Sequence, residues 1–324
     1  TNDDIVSDRV YFSSRYLAQS NKYLKLVKKQ GSTGNYFPTH LEISFSITCN
    51  LKCTYCSPMV SSRWLDDIRV HGSYPNDLYN LDYLKQNNEL AIPDKEYNPY
   101  TEAFWQWLPE AYDHLWVLRV TGGEPLLSKH TYTLLDWVES NKNKNLELGI
   151  NTNLNVPDQL INTLINKLKS IADNVKSITV WTSGESYRNK FDYIRSGGNY
   201  QQWRTNIIKI LDQVPQIQVR IMTTYSALSV YGYLEFLHDM IAIKNQYPDR
   251  FILDTHTYLQ YPKHLTIDIL TEDYVKPISE QVEYLKKTLT NSTSDQPFAS
   301  PFNIAESNRI ALTPKIDGKL DDEE

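Results

Sequence analysis

Two spacings of apolar residues alternate along the chain. Six short runs, at 41–47, 116–121, 146–151, 177–182, 216–222 and 251–258, are continuously apolar or alternate apolar with polar, which marks strands. Between them apolar residues return at helical spacing. After Pro157, for example, Leu160, Leu164, Ile165, Leu168 and Ile171 fall on one face. Comparable stretches predict helices at 60–68, 98–115, 128–140, 201–212 and 229–244. Asn98-Pro99 opens the second of these, because proline in the first turn lacks only an N–H that has no helical partner. Pro109 kinks or restarts it. Strand and helix in alternation predict an α/β fold, a parallel sheet with covering helices.

The flanks are less regular. Residues 1–38 read as an N-terminal extension in which Tyr11, Tyr16, Leu17, Tyr23, Leu24 and Val27 mark one or two amphipathic helices. Residues 69–98 are polar and rich in Asn, Asp and Tyr. They are too long for an ordinary connection and read either as a substrate-binding or lid insertion or as a solvated loop. Leu265–Leu270 alternates like a further strand, and 276–289 has helical spacing. The segment 291–324 ends in four acidic residues and reads as a solvated tail. This divides the chain into an extension (1–38), a core (39–260) and a C-terminal extension (261–324).

Composition narrows the class. The 324 residues are 40% hydrophobic, ordinary for a globular protein, and carry a net charge of −6, which argues against an extended nucleic-acid surface. No apolar run approaches the roughly 18 residues of a membrane span, and no secretory signal is visible, so no membrane partner is expected. The 23 Tyr against 9 Phe read as half-buried packing residues. The seven His are scattered without metal-type spacing; His256, near the end of the last strand run, is the one placed to touch a substrate.

All three cysteines lie in one loop after the first strand run, as Cys49, Cys53 and Cys56. Disulfides need pairs, and three thiols leave one over. A structural zinc site needs a fourth protein ligand. A [4Fe–4S] cluster suits thiolates well; three of them leave one iron open, and an open metal position is where a substrate binds. Zinc with a His as fourth ligand, or three unrelated buried cysteines, remain as alternatives. Grouped thiols also suit a reducing compartment, here the cytoplasm.

The spacing Cys49-x3-Cys53-x2-Cys56, with Tyr55 before the last thiol, resembles the cluster motif of the radical S-adenosylmethionine (SAM) enzymes. Thr121-Gly122-Gly123-Glu124-Pro125, following the second strand run, looks like that family's Gly-Gly-Glu-Pro motif. The resemblance implies an open, partial (βα)6 TIM-like barrel over about 40–260, a [4Fe–4S] cluster on the three cysteines and SAM on its open iron. SAM would be cleaved reductively, and the resulting radical would take a hydrogen atom from a peptide, a small nucleotide or another metabolite. An external flavodoxin- or ferredoxin-like donor would supply the electron.

The resemblance extends to single positions. Glu124 would accept SAM's ammonium beside Gly122 and Gly123. Asn151 and Asn153 stand at the C-terminal end of a strand, where α/β barrels place their sites. Ser183 and Arg195, the latter in Tyr193-Ile194-Arg195-Ser196-Gly197, look like the SAM carboxylate and ribose contacts of the twitch and SPASM group, and Met222 like an adenine contact. The chain departs from that group in one respect: it has no further cysteines, so none is left for an auxiliary cluster. The rival reading is a non-catalytic metal-binding or scaffold protein that keeps the fold.

Overall fold

The computed structural model describes residues 28–29, 37–75, 79–92, 96–255 and 257–290. The helices expected in the N-terminal extension, the acidic tail and His256 lie outside them. The chain divides into two compact units, Thr1–Thr39 and His40–Glu324, and the sheet, its helices and the candidate site all belong to the second.

In chain order the strands are β1 (His40–Ser44), β2 (Lys52–Cys53), β3 (Val117–Thr121), β4 (Asn143–Asn151), β5 (Val175–Ser183), β6 (Arg195–Ser196), β7 (Gln218–Met222) and β8 (Phe251–Asp254). Six of them form one sheet in the order β1-β3-β4-β5-β7-β8. Every neighbouring pair in it is parallel. The helices are α1 (Ser62–His71), α2 (Leu81–Gln86), α3 (Pro99–Ala111), α4 (Lys129–Ser140), α5 (Asp158–Ile171), α6 (Asn189–Ile194), α7 (Tyr200–Gln213), α8 (Val230–Gln246) and α9 (Val275–Thr290). This is an α/β partial barrel, as the alternating pattern predicts.

Alternation along each strand gives the sheet two chemically different faces. Leu118 and Val120, Leu148 and Ile150, Ile178 and Val180, Val219 and Ile221, and Phe251 and Leu253 are buried in one core with helix residues such as Leu134, Leu164, Ile207 and Leu237. The residues between them point the other way, into the barrel: Arg119 and Thr121, Gly149 and Asn151, Trp181 and Ser183, Arg220 and Met222.

The structure departs from the sequence reading in three places. The polar segment 69–98 is not one long loop. Asn80 Oδ1 accepts from the N–H groups of Asp82 and Tyr83 and caps α2; Tyr79 and Leu84 then pack on Leu65 and Ile68 of α1 in a small separate core. Few apolar residues achieve this, so no periodic signal marks it. The run at 265–270 is not a strand but single turns at Lys263–Leu265 and Ile267–Ile269. There the Thr266 hydroxyl donates to Lys263 O at 3.0 Å, a local bond that competes with strand pairing. Finally, α6 and the two-residue antiparallel ladder β2–β6 carry no periodic signal, yet the ladder sets Cys53 opposite Arg195.

Candidate active site

The loop after β1 is fixed by hydrogen bonds to two later segments. Gly123 N–H donates to Ser46 O at 3.0 Å and Glu124 N–H to Thr48 O at 2.7 Å, which binds the Gly-Gly-Glu-Pro turn to the start of the cysteine loop. From the other side, Ser62 N–H donates to Ile47 O, Trp64 Nε1 to Cys53 O at 2.8 Å, and the Tyr79 hydroxyl to Cys56 O. α1, through Ser62 and Trp64, and the insertion, through Tyr79, thus hold the cysteine loop by its carbonyls.

Close approach requires both glycines. Gly122 has φ +122°, a left-handed backbone that glycine adopts freely. A Cβ on Gly123 would stand 2.4 Å from Ile47 O and 2.5 Å from Thr48 O, both backbone atoms that cannot rotate away. Gly123→Ala is therefore expected to lower stability by about 2 kcal/mol or more, as overpacking against fixed atoms does. Denaturant unfolding of the metal-free protein measures this.

The three thiols are free and half-buried. Burial pushes the Cys53 thiol up to about 12 and Cys56 to about 11, and it raises Cys49 as well. Donors nevertheless surround the sulfurs. Leu51 N–H lies 3.4 Å from Cys49 Sγ, Asn153 Nδ2 3.9 Å from the same atom, and Arg195 Nη1 3.8 Å from Cys53 Sγ. Among the described residues no group of three or more His, Cys, Asp or Glu converges on a single-ion position.

Glu124 is buried and accepts hydrogen bonds on both oxygens. Its Oε1 accepts from Leu126 N–H at 2.9 Å and from the Thr152 hydroxyl at 2.7 Å, and its Oε2 accepts from Asn153 N–H at 2.6 Å. The carboxylate thus ties the glycine turn to the end of β4. Desolvation raises its pKa from the ordinary 4.5 to about 7, against the three hydrogen bonds. Between those values the folded state holds a proton that the unfolded chain releases. Stability from this group is present below pH 4.5 and falls as pH rises to about 7, by about 3 kcal/mol at most. In Glu124→Gln that slope should vanish, which denaturation midpoints at about pH 5 and about pH 8 will show.

Arg195 is almost wholly buried and pairs with Glu185, also buried, at 2.7 Å. It also donates to the Tyr55 hydroxyl, which in turn donates to Glu185 Oε1 at 3.2 Å. Burial opposes the Arg195 charge, but Glu185, Tyr55 and Cys53 outweigh it and hold the guanidinium above its usual range. Burial likewise drives the Tyr55 phenol well up. Glu185 carried no role in the sequence reading, although it stands two residues after Ser183. A lone acid in a loop gives no signal until its partner, ten residues on, is folded against it.

The other candidates converge. Cys49, Cys53, Cys56, Tyr55, Gly122, Gly123, Asn151, Asn153, Ser183, Arg195 and Met222 all line one cavity of about 510 Å³, with Thr152, Trp181 and Thr224. Glu124 alone of the candidates lies behind its wall. A larger cavity, about 770 Å³, lies against Phe45, Trp105, Leu127 and His130, and none of the candidates lines it. Arg119, missed in sequence because it sits inside an apolar run, braces the inner wall. It donates from Nε to Asn151 Oδ1 at 2.8 Å and from Nη2 to Met222 Sδ at 3.4 Å.

No family model matches the chain, and no curated protein does. Among solved structures it is similar to SuiB of Streptococcus suis. The structure of SuiB bound to S-adenosylmethionine gives a TM-score of 0.51 at 19% identity, over 90% of this chain and 56% of that one. SuiB in a second crystal structure gives 0.50 at 20%, over 90% and 55%. SuiB bound to precursor peptide SuiA gives 0.50 at 18%, over 90% and 54%. The chain thus spans just over half the length of SuiB, and at these identities the likeness is one of fold. Among the described residues, no helix is long and apolar enough to cross a membrane.

Proposed function

We propose that this chain is a radical SAM enzyme. The observation that carries the reading is the single cavity that gathers three otherwise scattered pieces: the cysteine trio, the glycine turn and the polar ends of β4, β5 and β7. The donor set fits a [4Fe–4S] cluster. It is three free thiols around a cavity, with N–H donors at 3.4 to 3.9 Å that favour the thiolates. When bound, the cluster supplies the electron that cleaves SAM and so provides the radical that takes a hydrogen atom from the substrate.

The chain's own residues do the rest. Cys49, Cys53 and Cys56 hold the cluster. Gly122 and Gly123 let backbone carbonyls and N–H groups come close to SAM's amino-acid end. Asn151, Asn153 and Ser183 offer donors and acceptors to its carboxylate and ribose, and Met222 an apolar surface to its adenine. Glu124 acts as a positioning residue that keeps the glycine turn against the β4 end. Arg195, already paired with Glu185, lends a positive field to Cys53 and the cavity rather than an unshared fork. A flavodoxin- or ferredoxin-like donor in the cytoplasm fits this chemistry, and of the substrate classes a peptide is favoured by SuiB, which has been captured with precursor peptide SuiA.

The test is turnover. Anaerobic, reconstituted protein reduced with dithionite is expected to release 5′-deoxyadenosine from SAM. Cluster uptake without any such product would favour the scaffold reading instead.

A further inference from the structure

The cavity that gathers the candidate residues is lined from both edges of the sheet, β1 and β8. From the β1 side come Met59 and Val60, which follow the last cysteine, and Tyr79 of the insertion. From the β8 side come Tyr261 and Pro262. Val60 is 49% exposed and Tyr261 53%, so these two mark the mouth. Both sides of the mouth are held in place. The Tyr79 hydroxyl donates to Cys56 O, and its ring packs on Trp64 at 5.1 Å and on Tyr74 at 5.9 Å. In the loop after β8, Leu259 N–H donates to Tyr225 O at 2.7 Å, and Ala227 N–H donates to Leu265 O at 2.9 Å. These bonds tie that loop to the segment after β7.

The lining offers almost no charge. Among the described residues that form it, and apart from the thiols, Arg195 alone is charged, and Glu185 pairs with it at 2.7 Å. Arg119 touches Asn151 and Met222 without lining the cavity, and Asp254, the register partner of Met222, does not line it either. Burial, then Cys56 and Tyr261, push the Tyr79 phenol up to about 12, so it stays neutral at ordinary pH. A charged group entering here would lose water and gain no counter-ion, an unfavourable exchange. An apolar group would bury surface against Val60, Met59 and Tyr261, as apolar pocket walls with a few polar groups favour.

We propose that the mouth formed by Met59, Val60 and Tyr261 admits an uncharged, apolar group of the substrate and rejects acidic and basic ones. This rests on reading the cavity as the cluster and SAM site, and it names the kind of group presented to that site. Tyr261 and Val60 are then specificity-determining residues, one on each side of the entering group. An apolar side chain of a peptide and a small free molecule share this chemistry, and the probes below separate them.

Ligand-observed NMR titration of the anaerobic, unreduced holo-protein with SAM tests this. The probes are blocked glycine tripeptides with Leu, Lys, Glu or Gly at the centre, and N-acetyl-leucine amide. Wild type should bind one of the two leucine probes about tenfold or more tighter than the Lys, Glu and Gly peptides. Whichever leucine probe binds tighter tells a peptide from a free small molecule. Tyr261→Ala should weaken that binding about fivefold, the effect of losing an aromatic contact, and Tyr261→Phe should keep it. Val60→Thr, which holds the volume but adds a hydroxyl, should weaken it about threefold. Tyr100→Ala, exposed on α3 and outside the lining, should leave it unchanged. Lys or Glu bound as tightly as Leu, no binding of either leucine probe, or wild-type affinity in both Tyr261→Ala and Val60→Thr overturns the inference. SAM binding is titrated in parallel. A protein that selects the leucine probes but takes up no SAM contradicts the functional reading, whereas one that takes up SAM without this selection contradicts the mouth inference alone.

Discussion

Serine at any one of positions 49, 53 or 56 is expected to reduce the iron content from about four per chain, the content of one such cluster, to near zero. The reason lies in the state of the thiols. Burial raises all three, so in the metal-free protein they keep their protons at neutral pH. They become thiolates only when a metal takes the proton's place. Serine cannot be deprotonated in this setting and is a poor ligand for iron, so each variant offers two usable donors instead of three. The fold should survive, since the positions are half-buried and the volume change is small. Iron and sulfide assays after anaerobic reconstitution, beside a far-UV circular dichroism spectrum, check both statements. Full iron content in any one of the three variants would remove that cysteine from the ligand set.

The second large effect is at Glu185. Replacing it by Ala leaves the Arg195 guanidinium buried without its counter-ion. Removing one partner of a buried pair typically costs about 3–5 kcal/mol. Tyr55 and Cys53 remain as weaker contacts, so about 3 kcal/mol is expected. The same change frees Arg195 to move away from Cys53, so cluster retention should fall with stability. A double variant, Glu185→Ala with Arg195→Met, removes both charges and should recover part of the loss. Denaturant unfolding of the metal-free single and double variants measures the coupling, and additive losses would show that the pair is not coupled.

Much of the fold could be read from the chain because six strands and their helices repeat a strong period, as in Leu160, Leu164, Ile165, Leu168 and Ile171 on one face of α5. The motif residues could be read because cysteines and paired glycines are rare enough for their spacing to carry information. What could not be read depends on contacts between distant segments. The ladder that sets Cys53 beside Arg195 is two residues long, too short for any periodicity. Glu124 could be read as part of the glycine turn, but not its tie to β4, because an acid's partners are fixed only when that strand brings Thr152 and Asn153 to it. Arg119 and Arg220 sit in strand runs whose outer faces are apolar, and their inward direction appears only when the sheet curves around them.

The most direct test is the electron paramagnetic resonance spectrum of anaerobic, dithionite-reduced protein, recorded before and after SAM is added. A four-iron cluster with one corner not held by the chain predicts a signal whose g-values change when SAM arrives. A spectrum indifferent to SAM, or one from a mononuclear ion, would contradict the account.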